Sequence, residues 1–177
     1  QRTREMTESV LAAKVAGALV LDEVLRTMPL DFFVVCSSLG SILSRAKFGQ
    51  VAYAAANEFL DVFASYRSRK DGSYTVSINW SDVQEVGMAV EARRRWAERQ
   101  GLRRDSSAYQ DALAMEDGLS QSEVTEVLCR VLGSTCSRLA VSTCDLPALI
   151  EAGTTSVRSG FSDDVERAIG TTAAHER

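Results

Sequence analysis

The sequence predicts an α/β fold in which helices cover a parallel sheet, and three observations support this. Residues 32–36 form a short continuous apolar run rich in β-branched and aromatic residues, as strands buried on both faces do, and residues 74–80, reading YTVSINW, are the next predicted strand. The stretch from Val51 to Arg69 between them has the alanine run and long side chains of a helix. Strand, helix and strand at this spacing form a right-handed βαβ unit, which places ligands outside the carboxyl ends of the strands.

Each element has a local signal. Between Thr7 and Arg26 apolar residues recur at helical spacing until Pro29 stops the pattern, and Asp71 with Gly72 closes the helix that begins at Val51. Further helices are predicted for about 12 residues after Gly87, near Tyr109, over Gln121 to Leu132 and over Leu146 to Glu151, and the predicted strands are Phe32 to Cys36, Tyr74 to Trp80 and Leu139 to Ser142.

The length of 177 residues fits a single domain. We expect residues 1–152 to form this domain and residues 153–177, rich in Gly, Thr, Ser and charge, to be a linker or tail with at most a weak helix over Asp163 to Ile169. Because the chain opens on Gln1 inside a helical pattern, we expect it to be a piece of a longer polypeptide.

Composition and charge argue against several classes of protein. A net charge of −4 offers no positive field for nucleic acid, and no apolar run approaches the roughly 18 to 20 residues that cross a membrane. We therefore expect a cytoplasmic protein that binds neither nucleic acid nor membrane.

The four cysteines show no CxxC pairing and are expected to be buried apolar thiols. The one histidine, His175, lies in the C-terminal tail, which argues against His-based nucleophilic sites and zinc sites.

Candidate catalytic residues cluster after the first predicted strand. Tyr53 and Asn57 lie at i and i+4 of a helix, so they share one face, and Ser38 lies in the loop that precedes this helix. Lys14, on the first helix, could reach the same place. A free phenol has a pKa near ~10, so it protonates a ketone only if a nearby cation stabilises its anion. Such a set suits hydride transfer to a carbonyl, with the hydride supplied by a nicotinamide cofactor.

These segments resemble the ketoreductase domains of modular polyketide synthases, in the short-chain dehydrogenase/reductase superfamily. The resemblance covers about residues 5 to 151 and is carried by LAAKVAGALVLDEVL, LDFFVVCSSLGSIL, FGQVAYAAANEFLDVFASYR and VSINWSDVQEVGMA, with GLSQSEVTEVLCRVLG and LAVSTCDLPALIE closing it. It implies the catalytic tetrad Lys14, Ser38, Tyr53 and Asn57. The order Tyr-x-x-x-Asn, with lysine supplied by the earlier helix, favours the polyketide synthase arm.

The resemblance also implies a Rossmann-like sheet of which only the C-terminal half is present. No GxGxxG precedes Lys14, so the N-terminal nucleotide-binding half is absent from this chain, and we expect the edge of the sheet to be unpaired. The segment SRAKFG carries an apparent insertion of about two residues between Ser38 and Tyr53, and Leu43 to Lys47 lacks the tryptophan that marks one stereochemical class of the family.

The implied reaction is the reduction of a β-ketoacyl thioester to its β-hydroxyacyl form, with NADPH as the cofactor. The implied partners are an acyl carrier protein, whose phosphopantetheine holds the substrate, and the upstream half of the domain. Tyr53, Lys14, Trp80 and Val86 are the expected cofactor contacts, and Gly87 and Met88 the substrate or lid contacts. The alternative is a catalytically inactive structural or interaction segment that retains the tetrad without binding a cofactor.

Overall fold

A computed structural model describes residues 3–43, 51–115 and 117–152 of the chain. The helices are α1 (Arg4–Leu11), a π-helical turn (Ala12–Ala16), α2 (Gly17–Val24), α3 (Val51–Asp71), α4 (Met88–Arg99), α5 (Ser107–Leu113), α6 (Gln121–Leu132) and α7 (146–152). The strands are β1 (Phe33–Ser38), β2 (Thr75–Trp80) and β3 (Arg138–Ala140).

The three strands form one parallel sheet in the order β1-β2-β3. In its register Phe33 pairs with Thr75 and Ser38 pairs with Trp80, so β1 and β2 end at the same level. The predicted α/β fold is therefore confirmed, and the loops that follow the two strands leave the sheet side by side.

Apolar side chains cover both faces of the sheet. On one face Phe33 and Val35 pack against Leu60 and Phe63 of α3. On the other face the fully buried Val76 and Ile78 of β2 pack with Val131 of α6 and with residues of β3. On β2 the apolar Val76 and Ile78 alternate with the polar Thr75, Ser77 and Asn79, and all five are fully buried.

The first helix is continuous from Arg4 to Val24 and is anchored on α3. A hydroxyl cap at Thr3 starts it, and the π-helical turn Ala12–Ala16 interrupts its regular pitch. Near its C-terminal end Asp22 accepts a hydrogen bond of 2.7 Å from Nε of Arg67, a buried guanidinium. This ion pair holds the helix that carries Lys14 against the sheet.

One edge of the sheet is open. Among the described residues β1 pairs only with β2, and a groove of about 490 Å³ runs beside β1, lined by α2 and the loop before the strand. The groove is mostly apolar and includes Leu21, Leu25, Leu30, Phe32 and Val34. Leu21 and Phe32 are about half exposed, so this surface is apolar yet uncovered.

The structure corrects one expectation and adjusts others. All four cysteines are exposed rather than buried. Cys36 alternates along β1 with Phe33 and Val35, which pack against α3, so it lies on the opposite face of the strand. The first strand extends to Ser38, and the last one covers Arg138–Ala140.

The apparent insertion at 44–49, the tail 153–177 and His175 lie outside the described residues. In the described ranges, no helix combines the length and apolar character needed to cross a bilayer.

Candidate active site

Ser38 is the last residue of β1 and caps a short 3-10 turn. Its Oγ accepts a hydrogen bond of 3.1 Å from the backbone N–H of Gly40, and the turn continues over Leu39–Ser41. Because the oxygen is held as an acceptor, the hydroxyl hydrogen remains available to donate. The turn therefore presents Ser38 as a hydrogen-bond donor beyond the carboxyl end of the strand.

Tyr53 and Asn57 lie one turn apart near the start of α3. Asn57 is fully buried, and its Nδ2 donates a hydrogen bond of 2.8 Å to the backbone oxygen of Tyr53. Its Oδ1 has no hydrogen-bond partner among the described residues, although it is buried. A buried acceptor without a partner is costly, so it marks a place where a water or ligand hydrogen belongs.

Lys14 reaches the site from the π-helical turn, a feature often found at functional sites. Its Nζ lies 5.6 Å from the centre of the Tyr53 ring and donates a hydrogen bond of 2.7 Å to the backbone oxygen of Cys36. Burial lowers the pKa of Lys14 below its ordinary value, and electrostatic interactions with Cys36 and Asp61 oppose this effect. The ammonium group is thus half-buried and close to the phenol.

One cavity collects most of the residues singled out in the sequence. It has a volume of about 140 Å³ between the end of β1, the start of α3 and the loop that leads into α4. Its walls include Ser38, Tyr53, Trp80, Val86, Gly87 and Met88. Lys14 and Asn57 do not line this cavity. They contact Tyr53 elsewhere, Lys14 at its ring and Asn57 at its backbone oxygen.

A second cavity, of about 290 Å³, was not foreseen from the sequence. It shares Ser38, Trp80 and Ser81 with the first cavity and extends to Arg93 and Cys144. Arg93 also donates a hydrogen bond of 2.8 Å to the backbone oxygen of Ala114. The residues of this cavity come from five separate segments of the chain, so no local signal could have identified it.

The geometry suits acid catalysis at an oxygen atom. Ser38 and Tyr53 both line one cavity, and the ammonium of Lys14 lies 5.6 Å from the centre of the phenol ring. Hydroxyl donors stabilise an oxygen on which negative charge develops, and a nearby cation favours loss of the phenolic proton. Such a site can bind a carbonyl oxygen and protonate it.

Comparisons with known proteins agree with this geometry. A family model described as the KR domain matches residues 1–85. The 6-methylsalicylic acid synthase of Aspergillus terreus is 43% identical over 88 residues, which are 50% of this chain and 5% of that protein. Polyketide synthase PksN of Bacillus subtilis is 44% identical over 87 residues, covering 46% of this chain and 2% of that protein.

A solved structure, that of an N-terminal ketoreductase from the macrolactin assembly line, has 31% sequence identity and a TM-score of 0.63. The match covers 86% of this chain and 27% of that chain. This chain therefore spans only a small part of the relatives and roughly a quarter of the solved ketoreductase.

The chain has a Rossmann-like parallel sheet, and the proteins that it resembles are ketoreductases and polyketide synthases. The matched part of the chain is similar to the ketoreductase domains of modular polyketide synthases. Ketoreductase domains of the short-chain dehydrogenase/reductase superfamily use a nicotinamide cofactor.

Proposed function

We propose that this chain is the catalytic part of a ketoreductase that uses NADPH to reduce a β-ketoacyl thioester, bound to an acyl carrier protein, to the β-hydroxyacyl form. The observation that carries the proposal is the shared cavity of Ser38 and Tyr53 with the Lys14 ammonium 5.6 Å from the phenol ring. Ser38 ends β1, Tyr53 lies on α3, and Lys14 approaches the phenol ring from the π-helical turn.

The residues present fit the reactive end of a nicotinamide cofactor. Two buried polar atoms at the site, Oδ1 of Asn57 and Oγ of Ser81, have no partner among the described residues, and Ser81 lines both cavities. Trp80 and Val86 supply an apolar wall against which a flat ring can lie. When bound, the cofactor supplies the hydride that no side chain can deliver.

Each tetrad residue has one task in this proposal. Tyr53 holds the proton that passes to the substrate oxygen, which becomes the new hydroxyl group. Ser38 donates a second hydrogen bond to that oxygen. Lys14 stabilises the phenolate that remains, and Asn57 holds in place either Lys14 or a water that returns the proton. In the structure Lys14 binds the oxygen of Cys36, so Asn57 is free to hold a water.

We also propose that the open edge of β1 is completed by the upstream half of the same ketoreductase domain. The apolar groove beside β1 offers Leu21, Phe32 and Val34 to a covering segment, and an unpaired parallel strand is a template for a further strand. The solved ketoreductase is several times longer than the part matched here, so it contains segments that this chain lacks. The pyrophosphate of the cofactor would be held there, because this chain has no glycine-rich turn for it.

The inactive interaction segment is the second candidate, and the open edge of the sheet favours it. A chain without a pyrophosphate-binding turn could keep the tetrad and bind no cofactor. The two candidates differ in whether the site binds NADPH once the sheet is completed.

The experiment uses the two tryptophans of the chain as reporters. Trp80 lines the cavity, whereas Trp96 is half-exposed on α4 and lines neither cavity described above. The chain, expressed with its upstream segment, is titrated with NADPH while tryptophan fluorescence is recorded. We expect saturable quenching that Trp80→Phe largely abolishes and Trp96→Phe leaves in place.

The results separate the candidates. Saturable quenching through Trp80, together with turnover of a small β-ketoacyl thioester, supports the reductase. No quenching in the completed domain supports the inactive segment. Binding by the chain alone, without the upstream segment, would contradict the proposed role of that segment.

A further inference from the structure

Asp61 is a buried carboxylate to which the reaction proposed above assigns no task. It lies on α3, one turn beyond Asn57 and two beyond Tyr53, and it is 1% exposed. A buried carboxylate is costly unless several donors satisfy it. Here Ser77 donates at 2.5 Å, Asn79 at 2.9 Å to both oxygens, Ser41 at 3.2 Å and Arg138 at 2.9 Å.

Two of these donors lead from Asp61 to the candidate site. The hydroxyl of Ser41 is shared between Asp61 and the backbone oxygen of Ser38, to which it donates at 2.8 Å. Asn79 Nδ2 also donates to Oγ of Ser37 at 2.7 Å, and Ser37 donates to the backbone oxygen of Asn57 at 3.2 Å. The carboxylate is thus connected to the backbone at Ser38 and at Asn57.

The other two donors belong to the strands, and Nε of Arg138 also donates to Oδ1 of Asn79 at 3.3 Å. Ser77 is a residue of β2, and its hydroxyl bonds Asp61 from within the sheet. Arg138 begins β3 and also pairs with Glu58 on the surface at 3.2 Å. Neither contact reaches the turn over Leu39–Ser41.

The position of the Ser38 hydroxyl depends on this turn. Its Oγ is fixed by the N–H of Gly40, two residues ahead, and Ser41 closes the same turn on the backbone oxygen of Ser38. A displacement of about 1 Å at a catalytic group can cost about 10²-fold in rate. Whatever holds the turn therefore sets how well Ser38 reaches a carbonyl oxygen.

We infer that Asp61 is a positioning residue, which holds the Ser38 turn through Ser41 and the start of α3 through Asn79 and Ser37, so that both catalytic hydroxyls keep one geometry. This inference rests on the proposed reductase function for its kinetic consequence, but the positioning itself does not. The negative charge of Asp61 also partly offsets the burial that lowers the pKa of Lys14.

A matched pair of variants tests the inference. Ser41→Ala and Ser77→Ala each remove one hydroxyl that donates to Asp61, but only the first disconnects the Ser38 turn. Ser41→Thr restores the hydroxyl. All variants are made in the domain expressed with its upstream segment, and three properties are measured: kcat and KM for a small β-ketoacyl thioester, amide hydrogen exchange of residues 39–43, and the melting temperature.

We expect Ser41→Ala to lower kcat about ten- to 10²-fold with KM changed little, and Ser41→Thr to recover most of the rate. Amide exchange in residues 39–43 should become about five- to tenfold faster in Ser41→Ala alone. Ser77→Ala should leave kcat and this exchange near those of the parent, although its melting temperature falls.

Equal losses of kcat in Ser41→Ala and Ser77→Ala would overturn the inference, because Asp61 would then act only through stability. Unchanged exchange in residues 39–43 of Ser41→Ala would overturn it as well. If the parent domain reduces no ketone, the proposed function fails, and the exchange comparison still decides whether the Ser41 hydroxyl, which bonds both Asp61 and the backbone oxygen of Ser38, holds the turn.

Discussion

The ion pair of Asp22 with Arg67 offers a direct measure of how the Lys14 helix is anchored. Arg67 is buried: its Nη1 donates to Ser73 at 2.7 Å and to Thr75 at 2.8 Å, and its guanidinium lies 4.7 Å from the centre of the Phe33 ring. Asp22 is its one carboxylate partner among the described residues. Replacing Asp22 by alanine leaves a buried positive charge without a counterion.

The expected cost follows from the exposure of the pair. The side chains of Arg67 and Asp22 are 5% and 19% exposed, whereas those of the neighbouring surface pair Arg26 and Glu23 are 60% and 66% exposed. Removing one partner of a buried ion pair lowers the free energy of unfolding by about 3 to 5 kcal/mol. Because Asp22 is partly exposed, we expect Asp22→Ala to cost about 3 kcal/mol, near the lower end of this range. The exposed pair contributes about 0 to 1 kcal/mol.

Thermal and urea unfolding of the domain, expressed with its upstream segment, provide the assay. Asp22→Ala should lower the melting temperature by about 6 to 12 °C, given roughly 2 to 4 °C per kcal/mol in a domain of this size. Glu23→Ala, one residue away on the same helix, should change it by at most about 4 °C. Equal effects of the two variants would refute the reasoning.

Three further predictions concern stability. Burial lowers the pKa of Lys14, so its charged form opposes folding at pH values below that pKa, and this loss of stability fades as the pH rises towards 10.5. Lys14→Met should therefore have a higher melting temperature than the parent at pH 7, and the difference should disappear near pH 10.5. Burial raises the pKa of Tyr74, whose hydroxyl donates to the backbone oxygen of Val131 at 2.5 Å. The parent should lose stability above pH 10, and Tyr74→Phe should cost about 1 kcal/mol at pH 7 and reduce the alkaline loss. Gly87 has φ +102°, so Gly87→Ala should cost about 1 to 3 kcal/mol in urea unfolding, whereas Gly17→Ala inside the helix should stabilise by about 0.5 to 1 kcal/mol. A stable Gly87→Ala would contradict the strain argument.

Elements with strong local signals were predicted closely from the sequence. The helix over Gln121–Leu132 begins and ends as predicted, because Ser120 and Glu123 form a capping box before its apolar positions. Strand β2 was predicted over Tyr74 to Trp80 from the sequence YTVSINW, and the structure has it at Thr75–Trp80. Such signals depend on neighbouring residues alone.

Features that depend on tertiary pairing could not be predicted in the same way. Ser37 and Ser38 look like loop residues in the sequence, but pairing with Asn79 and Trp80 extends the strand through them. The π-helical turn at Lys14 is a shift in backbone hydrogen bonding, which hydrophobic periodicity does not reveal. The exposure of the cysteines depends on which helix covers which strand.

In the candidate site, too, some residues could be predicted from the sequence and others depend on tertiary pairing. Ser38, Tyr53, Trp80 and Met88 could be grouped from the sequence, because the carboxyl ends of parallel strands lie at one edge. The contacts of Asp61 with Ser41, Ser77, Asn79 and Arg138 could not, since they join residues separated by up to 77 positions along the chain. Only the register of three strands brings these donors to one carboxylate.

The central claim is that the phenol of Tyr53 donates a proton in ketone reduction, and α3 contains a matched control. Tyr66 lies on the same helix with the Lys70 ammonium also 5.6 Å from its ring, but it is exposed and lines neither cavity near Ser38. The decisive measurement is the rate at which the completed domain oxidises NADPH with a β-ketoacyl thioester. Tyr53→Phe should slow this rate by about 10² or more while Tyr66→Phe keeps it within about twofold. A Tyr53→Phe rate equal to that of Tyr66→Phe would contradict the account.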